Sequence, residues 1–336
     1  SSGLGPVGEV VLGNCMGPGG DIARVCSLAA GLGEHVPALT VDRQCASGLA
    51  AISVGAAMVR AQGGTVIAGG VESASTAPVR TWRDGHAQGG ESYDRAPFAP
   101  EGWPDPDMGM AADLLAQRMG ITRDRQDDYA ARSHARAVRA QDQGDFEGEI
   151  VPVGNVVVDD RPRRGFTSER LSRFPPAFRE AGTVTAANSC GVNDGCAAVL
   201  IADGRIAYEA GLPGLRILGV ATAGVDPGEP GLGLVPAVRA ALDQSSLGLN
   251  DVDVIEFNEA FAGQMIACAM ELGMDDARIC PQGGALALGH PWGASGAVLA
   301  VRLFSQLVRQ GRGRIGLAAI SAGGGQGVAM VVQACP

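Results

Sequence analysis

The sequence has no lysine: all 26 basic residues among its 336 are arginine. Chemistry that needs a lysine amine, such as a Schiff base to a carbonyl, is excluded. We read the bias as codon usage of the host genome rather than as a functional device. Cys-x-x-Cys pairs are absent, and the four histidines show no zinc-like spacing, so no metal site is expected. Eight cysteines in a chain this long are not a disulfide framework. No charged leader precedes an apolar run, and no apolar stretch is long enough to span a bilayer. The expectation is a cytoplasmic protein in a reducing compartment. Basic charge falls short of acidic, giving a net charge of −10. That argues against nucleic acid or an anionic membrane as partner. Aromatic residues reach only 4% against 51 glycines with no strict period, which points to tight packing of helices on sheets.

What is abundant is apolar material, 46% of residues, enough for one large domain or two to three small ones. The chain is organised around Val41-Asp42-Arg43-Gln44-Cys45-Ala46-Ser47-Gly48-Leu49. Here the extended run Val36–Val41 gives way to a small-residue helix with a cysteine at its mouth. Amides of a first helical turn lack partners inside the helix, and their partial positive charge favours an anion. The thiol pKa is therefore expected to be lowered. The plainer reading is a buried, inert cysteine.

A second copy of the design tips the balance. Ala294-Ser295-Gly296, four residues after His290, also opens a helix of small and apolar residues. Each helix leads to a strand ending in paired glycines, Thr65–Gly70 in one half and Ile315–Gly325 in the other. Such duplication is hard to obtain by chance. It implies two similar α/β halves facing each other, with Cys45 and His290 at matching helix starts.

Other elements follow from pattern. Helices are expected over Asp21–Gly33, Met108–Met119, from a Thr122 cap to about Asp142, and over Pro236–Leu242. Strands are expected over Glu9–Gly13, Cys196–Asp203, Leu215–Val225 and Val252–Phe257, with Asn258 opening a helix and serving as its cap. Thr76–Pro106 carries five prolines and reads as loop. Asp159–Arg173 is a basic loop in an acidic chain, either a solvated face or a site for an anion such as phosphate. His134, on a charged helix, reads as a surface residue.

The Cys45 segment, Gly69-Gly70-Val71-Glu72-Ser73, Met108-Gly109-Met110-Ala111-Ala112 and Gly182–Asn188 occur in that order. Gly191-Val192-Asn193-Asp194-Gly195, Asn258-Glu259-Ala260-Phe261-Ala262, Gly289-His290-Pro291 and Gly323-Gly324-Gly325-Gln326-Gly327 complete the series. In this series the sequence resembles the thiolase family, the acetyl-CoA acetyltransferases and 3-ketoacyl-CoA thiolases, over nearly its whole length.

The resemblance implies an α/β thiolase fold: two duplicated halves in αβαβα layers with an inserted loop domain. It divides the chain into a first half, 1–72 plus 191–212, an inserted coenzyme A-binding loop domain, 73–190, and a second half, 213–336. It also implies a strand and helix ahead of Glu9, absent here, with that strand inside the first sheet. We read the shortfall as missing residues rather than as a fold that does without the strand.

For function the resemblance implies an acyltransferase that takes an acyl group from acyl-CoA onto Cys45. The reaction is thiolytic cleavage or Claisen condensation of a 3-ketoacyl-CoA, as in fatty acid metabolism. His290 would be the base, Asn258 would hold a water that forms one oxyanion hole with it, and the amides of Cys45 and Gly323 would form the second. Arg163, Thr167, Cys190, Met108 and Phe261 would contact coenzyme A, which is substrate rather than a bound cofactor. The segment Thr81–Pro106 is shorter than loops that join dimers into tetramers, so a homodimer is expected. Ser321 departs from the pattern, because thiolases carry a second, proton-shuttling cysteine there. A serine hydroxyl is far less acidic than a thiol, which titrates near about 8.5. Pro230, Leu234 and Asp107 also depart from common family residues, so acyl specificity is not carried over. Two other readings stand beside this one: a non-catalytic thiolase-fold scaffold, and a ketosynthase-like condensing enzyme fed by an acyl carrier protein.

Overall fold

A computed structural model describes residues 4–17 and 19–335. Ser1 to Gly3, which open the expected first half, lie outside the described residues. The chain begins with β1 (Val7–Gly13), α1 (Ile22–Ala29), β2 (Ala38–Val41), α2 (Ser47–Gln62) and β3 (Thr65–Glu72). A long excursion follows, with the short pair β4 (Arg80–Thr81) and β5 (Ser92–Tyr93) and the helices α3 (Met108–Arg118), α4 (Arg123–Asp142) and α5 (Ser168–Leu171). The chain then returns through β6 (Gly195–Ala202) and α6 (Gly204–Glu209). The remainder holds β7 (Gly214–Gly224), α7 (Leu234–Ser245), β8 (Val254–Phe257), α8 (Ala262–Leu272), α9 (Ala285–Leu288), α10 (Trp292–Phe304), β9 (Ile315–Ala322) and β10 (Gln326–Cys335).

Two four-stranded sheets carry the fold, in the orders β2-β1-β3-β6 and β7-β10-β9-β8. In each, a parallel pair (β1 with β3, β8 with β9) is followed by an antiparallel strand, β6 or β10. This is the duplication read from the sequence. Helices α2 and α10 form the layer between the sheets. Leu49 and Ile52 of α2, Ala297 and Leu299 of α10, Val66 of β3, and Ile320 and Val328 of the second sheet share one buried cluster. A helix buried between two sheets needs small or apolar residues around its girth, which is how α2 reads. α1 covers the outer face of the first sheet, and α7 with α8 covers that of the second. The layers are thus αβαβα, the expected thiolase-like α/β arrangement. Among the described residues no helix is long and apolar enough to cross a membrane.

Three expectations change. The strand expected inside the first sheet leaves no gap there, since β2, β1, β3 and β6 pair without interruption. What the described first half lacks is a counterpart of β7, which lies at a sheet edge beyond β10. Asn258 does not open a helix: α8 starts at Ala262, with Phe261 at its cap position. Helix α10 starts at Trp292, so Ala294-Ser295-Gly296 lies inside its first turns, whereas Ala46 is the cap residue of α2. The Thr122 cap is as read, its hydroxyl accepting from the amide of Arg125 at 3.3 Å.

The two central helices meet through glycine. A Cβ on Gly48 would lie 2.8 Å from the nitrogen of Ala297, and one on Gly296 would lie 2.3 Å from that of Leu49. Real Cβ atoms do not approach so closely, so only glycine permits this crossing. It brings the mouth of α2, with Cys45, beside the mouth of α10, with His290. The junction is locked by Glu72, which is 1% exposed. Its carboxylate accepts from Asn14 Nδ2 at 3.0 Å and from the amides of Cys15 (3.1 Å), Met16 (3.0 Å) and Gly293 (2.9 Å). One side chain of the first half thereby caps the start of α10 in the second.

Removing that acceptor leaves the amides of Cys15, Met16 and Gly293 without a partner, while Asn14 Nδ2 keeps its bond to Val71 O. Each such orphan costs about 1–3 kcal/mol, so Glu72→Ala is expected to destabilise the protein by about 4 kcal/mol or more. Glu72→Gln keeps one oxygen and is expected to cost about half as much. Guanidinium midpoints check this, and a loss below about 1 kcal/mol for Glu72→Ala would show that the clamp is dispensable.

Candidate active site

Cys45 follows a strained turn. Gln44 has φ +48, in the left-handed region that costs a non-glycine residue energy. Four hydrogen bonds brace it. The Asp42 carboxylate accepts from the Gln44 amide at 2.8 Å. The Gln44 carbonyl accepts from Ser47 Oγ (2.6 Å) and from Cys15 Sγ (3.0 Å). Arg43 N donates to Ser47 Oγ at 2.7 Å. The turn leaves the Cys45 sulfur close to its own backbone amide and to that of Gly323.

These amides favour the thiolate, but they are not those of the first turn of α2 on which the expectation rested, and they do not win. Crowding of the sulfur by protein atoms pushes the Cys45 thiol up to about 12, and the carboxylates of Glu72 and Asp42 add to the effect. The expected lowering is therefore reversed: desolvation of the charged form outweighs two hydrogen bonds. His290 is buried, and burial lowers it to about 4. Thiol and imidazole are both neutral at pH 7.

His290 is fixed on three sides. Its amide donates to Gly191 O at 2.9 Å, Nδ1 lies 2.5 Å from Ser295 Oγ, and Nε2 lies 3.5 Å from Asn258 Nδ2. With Asn258 donating, Nε2 is unprotonated and Nδ1–H donates to Ser295. Asn258 directly follows β8, and its own amide donates to Ala319 O of β9 at 3.0 Å. Ser295 carries no role in the sequence reading. Its signal was its place, five residues beyond His290 and one turn into α10.

Ser321, near the end of β9, has its hydroxyl fully engaged. It donates to Gly231 O at 2.8 Å and accepts from the amide of Leu234 at 3.0 Å, where α7 begins. The next turn of chain brings Gly323 to the Cys45 sulfur.

The residues expected to contact coenzyme A fall into two groups. Phe261 contacts Phe178, and Met108 and Cys190 are chain neighbours of residues that touch this pair. The Phe178 ring packs against Gly109 and meets Phe261 edge-on at 6.1 Å, and Phe261 bridges to Ser189 beside Cys190. Burial pushes the Cys190 thiol up to about 12. Arg163 and Thr167 lie apart, on the exposed stretch leading into α5. Of the basic segment, Arg161 reaches inward: a Cβ on Gly191 would meet its guanidinium at 1.6 Å. Its Nε is buried without a partner. His134 is not a surface residue. It is 5% exposed, its Nδ1 accepts from the Arg163 amide at 3.1 Å, and its ring meets Phe166 edge-on at 4.7 Å. Burial and the charges of Arg163 and Arg161 lower it to about 4.

Comparisons with known proteins agree with this architecture. A family model described as the thiolase N-terminal domain matches residues 4–205, and one described as the thiolase C-terminal domain matches residues 213–334. An acetyl-CoA acetyltransferase of Pseudomonas aeruginosa is 43% identical over 98% of this chain and 88% of its own. One from Escherichia coli is 42% identical over 97% of this chain and 87% of its own. The crystal structure of the Bacillus anthracis acetyl-CoA acetyltransferase superposes with a TM-score of 0.89 at 38% identity. It covers 99% of this chain and 89% of that one.

The neutral thiol has a direct consequence. Alkylation of Cys45 by iodoacetamide, followed peptide by peptide in a mass spectrometer, is expected to be slow at pH 7. The rate should still be rising past about pH 10, where a cysteine of ordinary pKa near 8.5 has levelled off. A plateau by pH 8 would show that the amides, not burial, set the thiol.

Proposed function

Because the chain belongs to the thiolase family, we propose that it takes an acyl group from a coenzyme A thioester onto the Cys45 sulfur. The observation that carries this reading is the Cys45 sulfur at the mouth of α2 with the backbone amides of Cys45 and Gly323 close by. A tetrahedral oxyanion formed on that sulfur can accept from the same two donors. His290 Nε2 takes the thiol proton as the sulfur attacks the carbonyl carbon. The carbon–sulfur bond of the coenzyme A thioester then breaks. The departing thiolate takes the proton back from His290, leaving acyl-Cys45 and free coenzyme A. Asn258 supports the imidazole in this role by fixing which nitrogen is bare. Ser295 holds the opposite edge of the ring.

Arg163, Thr167, Met108, Cys190 and Phe261 are proposed to contact coenzyme A, with Arg163 toward its phosphates. A homodimer in the cytoplasm is proposed on the family likeness. The second half-reaction is the weaker one here. Carbon–carbon bond formation or cleavage needs a proton moved at the α-carbon, and Ser321 offers a hydroxyl already spent on Gly231 and Leu234. This favours an enzyme that loads Cys45 readily and turns over 3-ketoacyl-CoA slowly.

Intact-mass analysis after mixing with acetyl-CoA is expected to show one acyl adduct that Cys45→Ala abolishes and His290→Ala slows by about 10²-fold or more. No adduct with any acyl-CoA would overturn the assignment. Ser321→Cys is expected to raise acetoacetyl-CoA thiolysis by about 10²- to 10⁴-fold, the usual range for a general acid–base group. An unchanged rate would mean that Ser321 is not what limits the carbon chemistry.

A further inference from the structure

We propose that Phe98, carried on the loop of residues 95–105, is the roof of the acyl pocket and limits the acyl group on Cys45 to short, unbranched chains. This rests on the acyl-transfer reading above. The amide of Gly323 lies near the Cys45 sulfur, and the Phe98 ring lies against the same glycine. A Cβ on Gly323 would lie 2.5 Å from Phe98 Cε2 and 2.7 Å from Cδ2, so the ring rests directly on this glycine. Gly324 faces the Phe98 carbonyl, with a Cβ-to-oxygen distance of 3.1 Å. The ring therefore fills space within reach of a short acyl chain on the sulfur.

The loop is fastened from both ends. The Arg95 guanidinium lies 4.4 Å above the Phe98 ring centroid, a cation–π contact. Arg95 Nη1 pairs with the Asp105 carboxylate at 2.7 Å, and Nη2 donates to the Asp105 carbonyl at 3.1 Å. The same carboxylate accepts from the Phe98 amide at 3.3 Å. Pro104 packs on Gly228 in the second half. Pro97, Pro100 and Pro104 further restrict the backbone.

The segment tied to Ser321, two residues before Gly323, is fastened as well. The Ser321 hydroxyl ties Gly231 and Leu234 to β9, so the turn between them cannot draw back. With the roof and this segment both held, each added methylene meets resistance. One methylene in an apolar pocket is worth about 10- to 200-fold in kcat/KM.

The test compares kcat/KM, and the rate of Cys45 adduct formation, for acetyl-CoA and octanoyl-CoA. Phe98→Ala is expected to raise the octanoyl-to-acetyl ratio at least tenfold, with Phe98→Leu intermediate. Asp105→Asn, which loosens the loop but keeps the ring, should move the ratio the same way by less. It decides the matter if Phe98→Ala fails to fold. A normal acetyl adduct with a ratio unchanged within threefold in the folded variants overturns the roof alone. Absence of any adduct in the unaltered protein brings down the acyl-transfer reading, and the roof with it.

Discussion

The carbonyl oxygen of Gly293 sits where a Cβ on Gly13 or Gly70 would come within 2.5 or 2.0 Å of it, and one on Gly48 within 2.9 Å. Three first-half glycines, from β1, β3 and α2, thus surround one peptide of the second half. The amide of that same residue donates to Glu72. Backbone meets backbone here with no side chain between, and this contact holds the mouths of α2 and α10 together. Interiors are packed at crystal density, so a methyl group at any of these positions would push the two helix mouths apart. Carboxylate and glycines do complementary work. The glycines allow the approach, and Glu72 fixes its register by joining the turn after β1 to the start of α10.

Close packing also sets the electrostatics. A sulfur surrounded by protein atoms and an imidazole that is 3% exposed both prefer their neutral forms. A resting thiolate–imidazolium pair is therefore not the ground state, and charge is deferred until a thioester carbonyl arrives. On the proposed reading the developing negative charge would pass from sulfur to oxygen, within reach of the amides of Cys45 and Gly323. Donors fixed in advance cost no reorganisation and act strongly in a site of low dielectric. The strained turn at Gln44 belongs to the same economy: its left-handed backbone leaves the sulfur close to those amides, and the Ser47, Cys15 and Asp42 contacts keep it from relaxing.

The reactive groups were legible because they stand inside glycine-rich stretches that repeat. Cys45, His290, Asn258 and Gly323 could be named from the sequence, and the structure gathers Asn258 with His290 and Gly323 with Cys45. Effects that depend on distant partners were not legible. The thiol was expected to be lowered because helix amides are local, whereas the burial that overrides them comes from the other half of the chain. His134 looked exposed because its helix is charged, yet its Nδ1 finds an amide 29 residues away. Glu72 sits in a quoted motif, but its donor on Gly293 is 221 residues further on. Phe98 lies in a proline-rich loop that carries no periodic pattern. The start of α10 was misplaced by the match of Ala-Ser-Gly, which reports the helix crossing rather than the helix end.

Serine at position 321 is better understood by what its hydroxyl can do than by what it cannot. A hydroxyl donates and accepts well at once, and here it does both, on Gly231 and Leu234. A thiol is a weak donor and acceptor, so the same two contacts would be looser with cysteine, and the sulfur would be freer to face the substrate. The residue therefore chooses between two tasks: holding the segment of Gly231 and Leu234 or moving a proton at the α-carbon. In this chain the segment is held. On the proposed reading, the Ser321 contacts and the Arg95–Asp105 pair would both limit movement near Cys45 and favour a small thioester there. Chemistry that needs a second acid–base group beside the sulfur is then left to whatever slow proton transfer His290 can provide alone.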